Sequence, residues 1–361
     1  MNLARAADLW YRRSARSGGT SMRFIKTGAL AAALLSAASV VSCQQGPKLP
    51  DGLYAVVETV KGSFTISLDY ERVPLAVANF VGLAEGTLDA NAGKRFYDGL
   101  SFHRVEPGFV VQGGDPLGDG SGDPGYNFPD EFDPAVRHDV PGVVAMANHG
   151  PDTNGSQFYI TLDAAPFLDD SYTAFGRVVD GMDVVEKIAA GDVMTKVTIR
   201  RVGDAAKAFE TDQSAWNRYY GPAAEASKLR ALASRQASVD AILAKWPGLE
   251  RQPSGILSKV LEEGSGPTML RGYLVNVSYK GMLPDGRVFD QSILHGGPIE
   301  FELGTGQVII GWDLVIEQMR KGERRVVAIP PELAYGTQGA GGVIPPNSYL
   351  VFELEVTGYT E

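Results

Sequence analysis

The chain has 361 residues, of which 44% are apolar and 21% charged; that is ordinary for folded protein, excludes long disorder, and leaves room for two domains of about 150 residues each. Lys and Arg number 33 against 43 Asp and Glu, a net charge of −10, and an acidic body excludes sequence-independent binding to nucleic acid. The single cysteine, Cys43, excludes an intrachain disulfide.

In chain order, the first 42 residues carry Arg5, Arg12, Arg13, Arg16, Arg23 and Lys26 against one acid, Asp8. Residues 22–26 are basic, and residues 27–41 are uncharged, rich in Ala and Leu, and too short to cross a bilayer comfortably. Small residues follow at Ser42 and Cys43, which completes an export-signal pattern over residues 1–43, with Met22 as an alternative start. A Cys at the end of such a segment resembles a bacterial lipobox, although Val40 stands where Leu is usual. The resemblance implies cleavage before Cys43 and its lipidation, hence attachment to the periplasmic face of a membrane; ordinary cleavage beside an incidental Cys is the other reading. Residues 44–52 form a polar tether.

Strands are expected at 54–60 and 63–68 around the turn Lys61-Gly62. Pro74 opens a helix to about Ala84, with Val77, Phe80, Val81 and Ala84 on one face and Gly86 at its end. Residues 102–112 place Arg104 among apolar residues, a Pro107-Gly108 turn, Phe109, and then Gln112. The turn joins two short strands that hold Arg104 and Gln112 together at the edge of an apolar pocket. No acid, base or nucleophile stands there to break a covalent bond, and a structural ion pair is the plainer reading of the Arg. Residues 118–125 are rich in Gly and Asp but do not form a strand-to-helix turn, and Asp115, Asp119 and Asp123 lack calcium-loop spacing. Further strands are expected at 143–147, 156–161, 173–179 and 196–202, with a short helix at 182–190. Many short strands with two helices predict a closed antiparallel β-barrel capped by helices over residues 53–203.

Residues 204–252 read as a helical linker, Ala-rich and divided by Pro222. Leu229, Leu232, Val239, Leu243 and Trp246 make one apolar stripe, which implies packing against a domain or a dimer through this helix. Strands return over 273–281, 298–303, 324–329 and 349–356, with one short helix at 312–319.

Two families are legible in these motifs. Residues 102–115 (FHRVEPGFVVQGGD) and 146–160 (MANHGPDTNGSQFYI) resemble the cyclophilins. Residues 277–290 (VSYKGMLPDGRVFD), 307–312 (QVIIGW) and 334–346 (AYGTQGAGGVIPP) resemble the FKBP family over 253–361. Both are peptidyl-prolyl cis–trans isomerases of unrelated fold, so the chain resembles a dual-family immunophilin: mainly β, two domains, the second an antiparallel α+β sheet wrapped on one short helix. The resemblance implies that Arg104 donates toward the prolyl nitrogen, that Gln112 and the backbone of Asn148 hold the flanking peptide, and that Phe109, Val110, Tyr159 and Leu168 form the proline pocket, flanked by Phe167 and Tyr172. Tyr159, Phe167 and Tyr172 stand where Phe, Trp and His are usual, so sensitivity to cyclosporin is expected to fall. His103 and His149 are expected to be structural and solvated, respectively.

In the second part the resemblance implies a pocket of Tyr279, Phe289, Asp290, Phe301, Val308, Ile309, Trp312, Tyr335, Ile344 and Phe352, with Trp312 as its floor and an FK506-type ligand. Ile299 replaces a common aromatic. The partners implied are proline-containing exported polypeptides, with no cofactor and no metal. A chaperone-like binder without catalysis is the alternative function.

Overall fold

The computed structural model describes residues 49–361; the export segment, Cys43 and most of the expected tether lie outside the described residues. Alternating apolar side chains and the turn at Lys61 pair β1 (Gly52–Thr59) with β2 (Gly62–Leu68). Pro74 then starts α1 (Pro74–Glu85), and Gly86, at a φ of 78°, ends it by donating its N–H to the Gly82 carbonyl. Every residue of α1 from Leu75 to Ala84 is buried, so the helix is enclosed all round rather than on one face. Its one polar side chain there, Asn79, donates to the Gly155 carbonyl and accepts from the Tyr126 hydroxyl. The helix thereby holds the loop that precedes the site.

The N-terminal domain continues through β3 (Arg104–Glu106), β4 (Val110–Gly113), β5 (Val143–Met146), β6 (Phe158–Thr161), β7 (Ala174–Asp180), α2 (Met182–Val185) and β8 (Met194–Val202). The strands form one antiparallel sheet in the order β3-β4-β6-β5-β7-β2-β1-β8. This corrects the closed barrel: edge strands β3 and β8 share no ladder, and the segments before them meet only at the bridge Ser101–Val193. The sheet is a curled half-barrel around α1. The second helix is also shorter than the pattern suggested, a single turn at α2 followed by turns up to Gly191.

After α3 (Asp204–Ala208) comes α4 (Gln213–Lys245), an uninterrupted helix of 33 residues. Asp212 caps it by accepting the Ala215 N–H. Pro222 does not divide it. Proline deprives the carbonyl four residues earlier of its donor and its ring crowds that carbonyl, a cost that the burial of both ends of the helix offsets; Gly221 and Pro222 are both exposed, so the freed carbonyl is open to water. The expected stripe packs only at its end: Val239 is buried and Trp246 lies against the same cluster, while Leu229 and Leu232 are 57% and 55% exposed. Trp216, Tyr219 and Ala223 join the core around α1, while Val239 and Ile242 join a separate cluster with Leu257, Val326, Tyr349 and Val351. One helix is thus embedded in both domains.

The C-terminal domain comprises β9 (Glu250–Arg251), β10 (Leu257–Glu262), β11 (Ser265–Thr268), β12 (Leu274–Met282), β13 (Val288–Gln291), β14 (Ile299–Glu302), α5 (Ile310–Ile316), β15 (Arg320–Lys321), β16 (Arg324–Ile329) and β17 (Leu350–Thr360). Its main sheet is antiparallel, in the order β13-β12-β17-β16-β10-β9 with β14 also paired to β12. α5 starts two residues earlier than expected and buries Trp312, Val315 and Ile316 in the core that Val327, Phe352 and Leu354 share.

Gly82 marks where α1 meets the approach to α4. A Cβ there would lie 2.7 Å from Leu88 Cγ and 2.8 Å from the Thr211 carbonyl oxygen. Gly82→Ala is expected to destabilise the protein by about 1–3 kcal/mol through overpacking, despite the better helix propensity of Ala, as read by urea unfolding.

Candidate active sites

Strands β3 and β4 put Arg104 directly opposite Gln112, and β4 with β6 puts Gln112 opposite Tyr159. Cross-strand neighbours in one row share a face of the sheet, so the three side chains line up along it. Arg104 Nη1 donates to Gln112 Oε1 at 2.8 Å, while Arg104 Nε and Nη2 donate to Glu106 Oε1 at 3.1 and 2.6 Å. The guanidinium is in an ion pair, as the plainer reading of the sequence had it: its side chain is 45% exposed and paired to Glu106, a partner the motif did not single out. These bonds use three of its five N–H groups, leaving one on each terminal nitrogen. Gln112 Nε2 donates to Gln157 Oε1 at 2.9 Å, and Gln157 Nε2 donates to the carbonyls of Gly120 and Gly122. That chain orients the Gln112 amide with its oxygen toward Arg104.

Below this row lies a compact apolar cluster that includes Val110, Tyr159 and Leu168, with Phe109 and Tyr172 packed against it. Phe167 is 72% exposed and stacks on Phe109 with ring centroids 5.8 Å apart, so it extends the pocket rim instead of walling a buried pocket. Tyr172 meets Tyr159 edge-on at 5.8 Å. Asn148 Nδ2 donates to the Ser171 carbonyl, which ties the loop before β6 to the Tyr172 side of the pocket. His149 is in that loop and lines a small adjoining pocket of about 170 Å³ with Gln112 and Gln157. The Gly- and Asp-rich segment is organised by Asp115, whose carboxylate accepts the N–H groups of Leu117, Asp119 and Gly120. Both ring nitrogens of His103 are buried without a hydrogen-bond partner among the described residues, and burial lowers the basicity of the ring.

The second site is an aromatic box. Trp312, at the start of α5, packs edge-on to Tyr279 at 5.1 Å and Phe352 at 5.2 Å, and lies 6.1 Å from Phe301; Phe289 packs edge-on to Phe352. Gly281 makes this possible, because a Cβ there would lie 2.7 Å from Phe289 and 2.9 Å from Phe352. Val308 and Ile309 pack against the same core just ahead of α5, and Ile344 is buried in it. Asp290 is the polar group beside the box. Burial alone would raise its pKa, but the Tyr279 hydroxyl (2.6 Å), His295 Nε2 (2.8 Å) and the Gln291 N–H outweigh that and hold the carboxyl below its ordinary value. Tyr335 is half-exposed on the loop that ends at Ile344. All ten residues named from the motifs belong to this region, and His295 is the partner the motifs missed.

Residues 54–204 match the family model described as cyclophilin type peptidyl-prolyl cis-trans isomerase/CLD, and residues 266–357 match that of the FKBP-type peptidyl-prolyl cis-trans isomerases. Peptidyl-prolyl cis-trans isomerase A of Mycobacterium tuberculosis is 50% identical over 144 residues, which cover 37% of this chain and 79% of that one. The chain belongs to the cyclophilin-type peptidyl-prolyl isomerases. Peptidyl-prolyl cis-trans isomerase B of Streptomyces anulatus is 45% identical over 151 residues, 39% of this chain and 86% of that one. A solved cyclophilin type isomerase of Cryptosporidium parvum is 29% identical and covers 42% of this chain and 98% of its own, with a TM-score of 0.37. An FKBP-type domain follows the cyclophilin domain, so the enzyme carries two isomerase domains of different families.

The cyclophilin domain holds one arrangement the motifs did not reveal. Tyr159, where the family commonly has Phe, brings a hydroxyl into an apolar cluster, and a buried hydroxyl needs a partner. His138 Nε2 lies 2.9 Å from it, and His138 Nδ1 lies 2.8 Å from Asp169 Oδ1. Burial pushes the imidazole below its ordinary pKa, against the pull of Asp169. Burial would raise Asp169, but hydrogen bonds from the backbone and ring of His138, with the charge of Arg137, hold it down. The consistent state is a carboxylate accepting from Nδ1–H, a neutral ring, and a Tyr159 hydroxyl donating to Nε2. Burial also raises the Tyr159 pKa and so favours the neutral phenol.

A histidine whose pKa is lowered on folding contributes stability above the ordinary value, about 6.5, and that stability is lost as pH falls. His103 acts in the same sense, whereas Glu131, raised to about 7 by burial, acts in the opposite one. The test is therefore a difference. His138→Gln keeps a hydrogen-bonding group but does not titrate, so its deficit against wild type in urea unfolding should be larger at pH 7.5 than at pH 5. An equal deficit at both would contradict the neutral ring.

Proposed function

We propose that this isomerase works at both domains, anchored outside the cytoplasm of a bacterial cell by lipid on Cys43, and that it speeds the folding of exported proteins. Rotation about an X–Pro bond breaks no covalent bond; its barrier of roughly 18–20 kcal/mol comes from conjugation of nitrogen with carbonyl. A site accelerates it by binding the twisted amide better than either planar form. The observation that carries this reading is Arg104. Glu106 and Gln112 hold it in place, two of its N–H groups are unspent, and it stands in the same row as Tyr159 above an apolar cluster. One remaining N–H would donate to the prolyl nitrogen as the amide twists, localising its lone pair. Gln112 and the Asn148 backbone would hold the flanking peptide, while Phe109, Val110, Tyr159 and Leu168 take the ring, with Phe167 and Tyr172 at the rim.

In the FKBP-type domain the same rotation would be favoured by desolvation over Trp312, with Asp290 and Tyr335 fixing a peptide carbonyl. That box would take an FK506-type ligand. Phe167 lacks an indole donor, which lowers the affinity expected for cyclosporin. Uncatalysed isomerisation takes tens to hundreds of seconds, so a tethered catalyst beside emerging chains removes a slow folding step.

The test is a protease-coupled assay on a proline tetrapeptide with the full chain. In a background where Asp290→Ala and Tyr335→Ala disable the second site, Arg104→Ala should lower the remaining rate by about 100-fold, the scale of losing one positioned donor. An unchanged rate there would refute the assignment of Arg104. Mass spectrometry of the membrane fraction should find acylated Cys43 as the N-terminal residue; an unmodified soluble chain would overturn the anchor.

A further inference from the structure

A cleft of about 1120 Å³ opens between the two domains and α4. Small-ligand sites run roughly 300–1,000 Å³, so its size suits a longer occupant. Three segments line it. The cyclophilin domain contributes Asn148, Phe167 and Tyr172, which are residues of its proline site. α4 contributes Ser227, Arg230, Ala231, Ser234 and Arg235, whose spacing is that of one helical face. The FKBP-type domain contributes Pro345, Pro346 and Asn347, which follow the loop bearing Tyr335 and Ile344. The two site loops approach each other, since a Cβ on Gly150 would lie 3.6 Å from the Thr337 carbonyl oxygen.

We propose that this cleft is a trough for an extended, unfolded polypeptide, so that a chain seated in the cyclophilin site continues along α4 toward the FKBP-type loop. The inference deepens the proposed function and rests on its reading of the cyclophilin site. Continuity is the first argument, because the cleft shares three residues with that site. Charge is the second. Asp130 is bonded to Asn154, Asp152 to Ser227, Asp170 to Arg137, Arg230 to the Asp130 carbonyl and Arg235 to Glu332. The lining mixes both signs, with the carboxylates of Asp130, Asp152 and Asp170 beside the guanidiniums of Arg230 and Arg235, so the trough selects neither a strongly acidic nor a strongly basic partner. What it offers is apolar: the exposed Phe167, Phe132 under the Arg230 guanidinium, and the prolines. A chain that has not yet buried its own apolar side chains matches that lining; a folded surface, with few large apolar patches, does not.

The test uses the full chain with a fluorescein-labelled, unstructured peptide of about 20 residues, some 60–70 Å when extended, carrying one proline near its end. Ala231→Glu with Ser234→Glu changes two exposed positions of α4 outside both sites, and Glu is a good helix former. Anisotropy should show the double variant binding this peptide about tenfold more weakly or worse, while turnover of a proline tetrapeptide stays at the wild-type rate. Unchanged affinity for the long peptide would overturn the proposal, as would a wild type that binds the long peptide no better than the tetrapeptide. A wild-type dimer in sedimentation that the double variant dissociates would assign the cleft to a second copy and overturn it too. Absence of tetrapeptide turnover by wild type would strike the isomerase reading of the sites and leave the affinity comparison to decide the cleft.

Discussion

Burial of the two halves of α4 in two separate cores is the constraint on which the arrangement of this protein depends. The helix spans about 50 Å at 1.5 Å per residue. Trp216, Tyr219 and Ala223 belong to the core around α1, and Val239 and Ile242 to a cluster on the far sheet. Between these ends Ser227 donates to Asp152, Arg230 to the Asp130 carbonyl, and Arg235 to Glu332. A flexible linker would let the domains reorient freely. A continuous helix packed at both ends makes their relation a structural property, and the cleft between them follows from it.

Each site holds its charged group with neighbours from the same domain. Arg104 is fixed by Glu106 two residues along its own strand and by Gln112 across the hairpin; Asp290 is fixed by Tyr279 and His295. The ion pair of Arg104 is solvent-exposed and adds little stability by itself, so its effect is on position. Departures from the family pattern are met locally in the same way. The hydroxyl that Tyr159 adds is received by His138, which Asp169 holds in the required tautomer.

Motifs that concern one local segment were legible in the sequence. The hairpin at Pro107-Gly108 sets Arg104 against Gln112 because a tight turn fixes register over a few residues. Pro74 and Gly86 bracket α1 for reasons internal to the backbone. Partners from distant segments were not legible. Nothing near residue 159 announces His138, and nothing near 290 distinguishes His295 from a loop histidine. The apolar stripe of α4 misled for a related reason. Val239 and Trp246 of the stripe do pack, but Leu229 and Leu232 do not, because which residues are covered depends on the surfaces offered by the two domains, and those surfaces also met Trp216, Ala223 and Ile242.

The sequence by itself determined that there are two isomerase domains of different families and the order in which they come, because those are properties of residue identity at short range. Only the tertiary structure decided that the first sheet curls without closing, that Pro222 is carried within a single helix packed on two cores, that the Tyr159 hydroxyl is received by His138, and that both site loops border one cleft. Each of those depends on contacts between segments far apart in the chain, where geometry and burial, not local pattern, select among arrangements that the same residues permit.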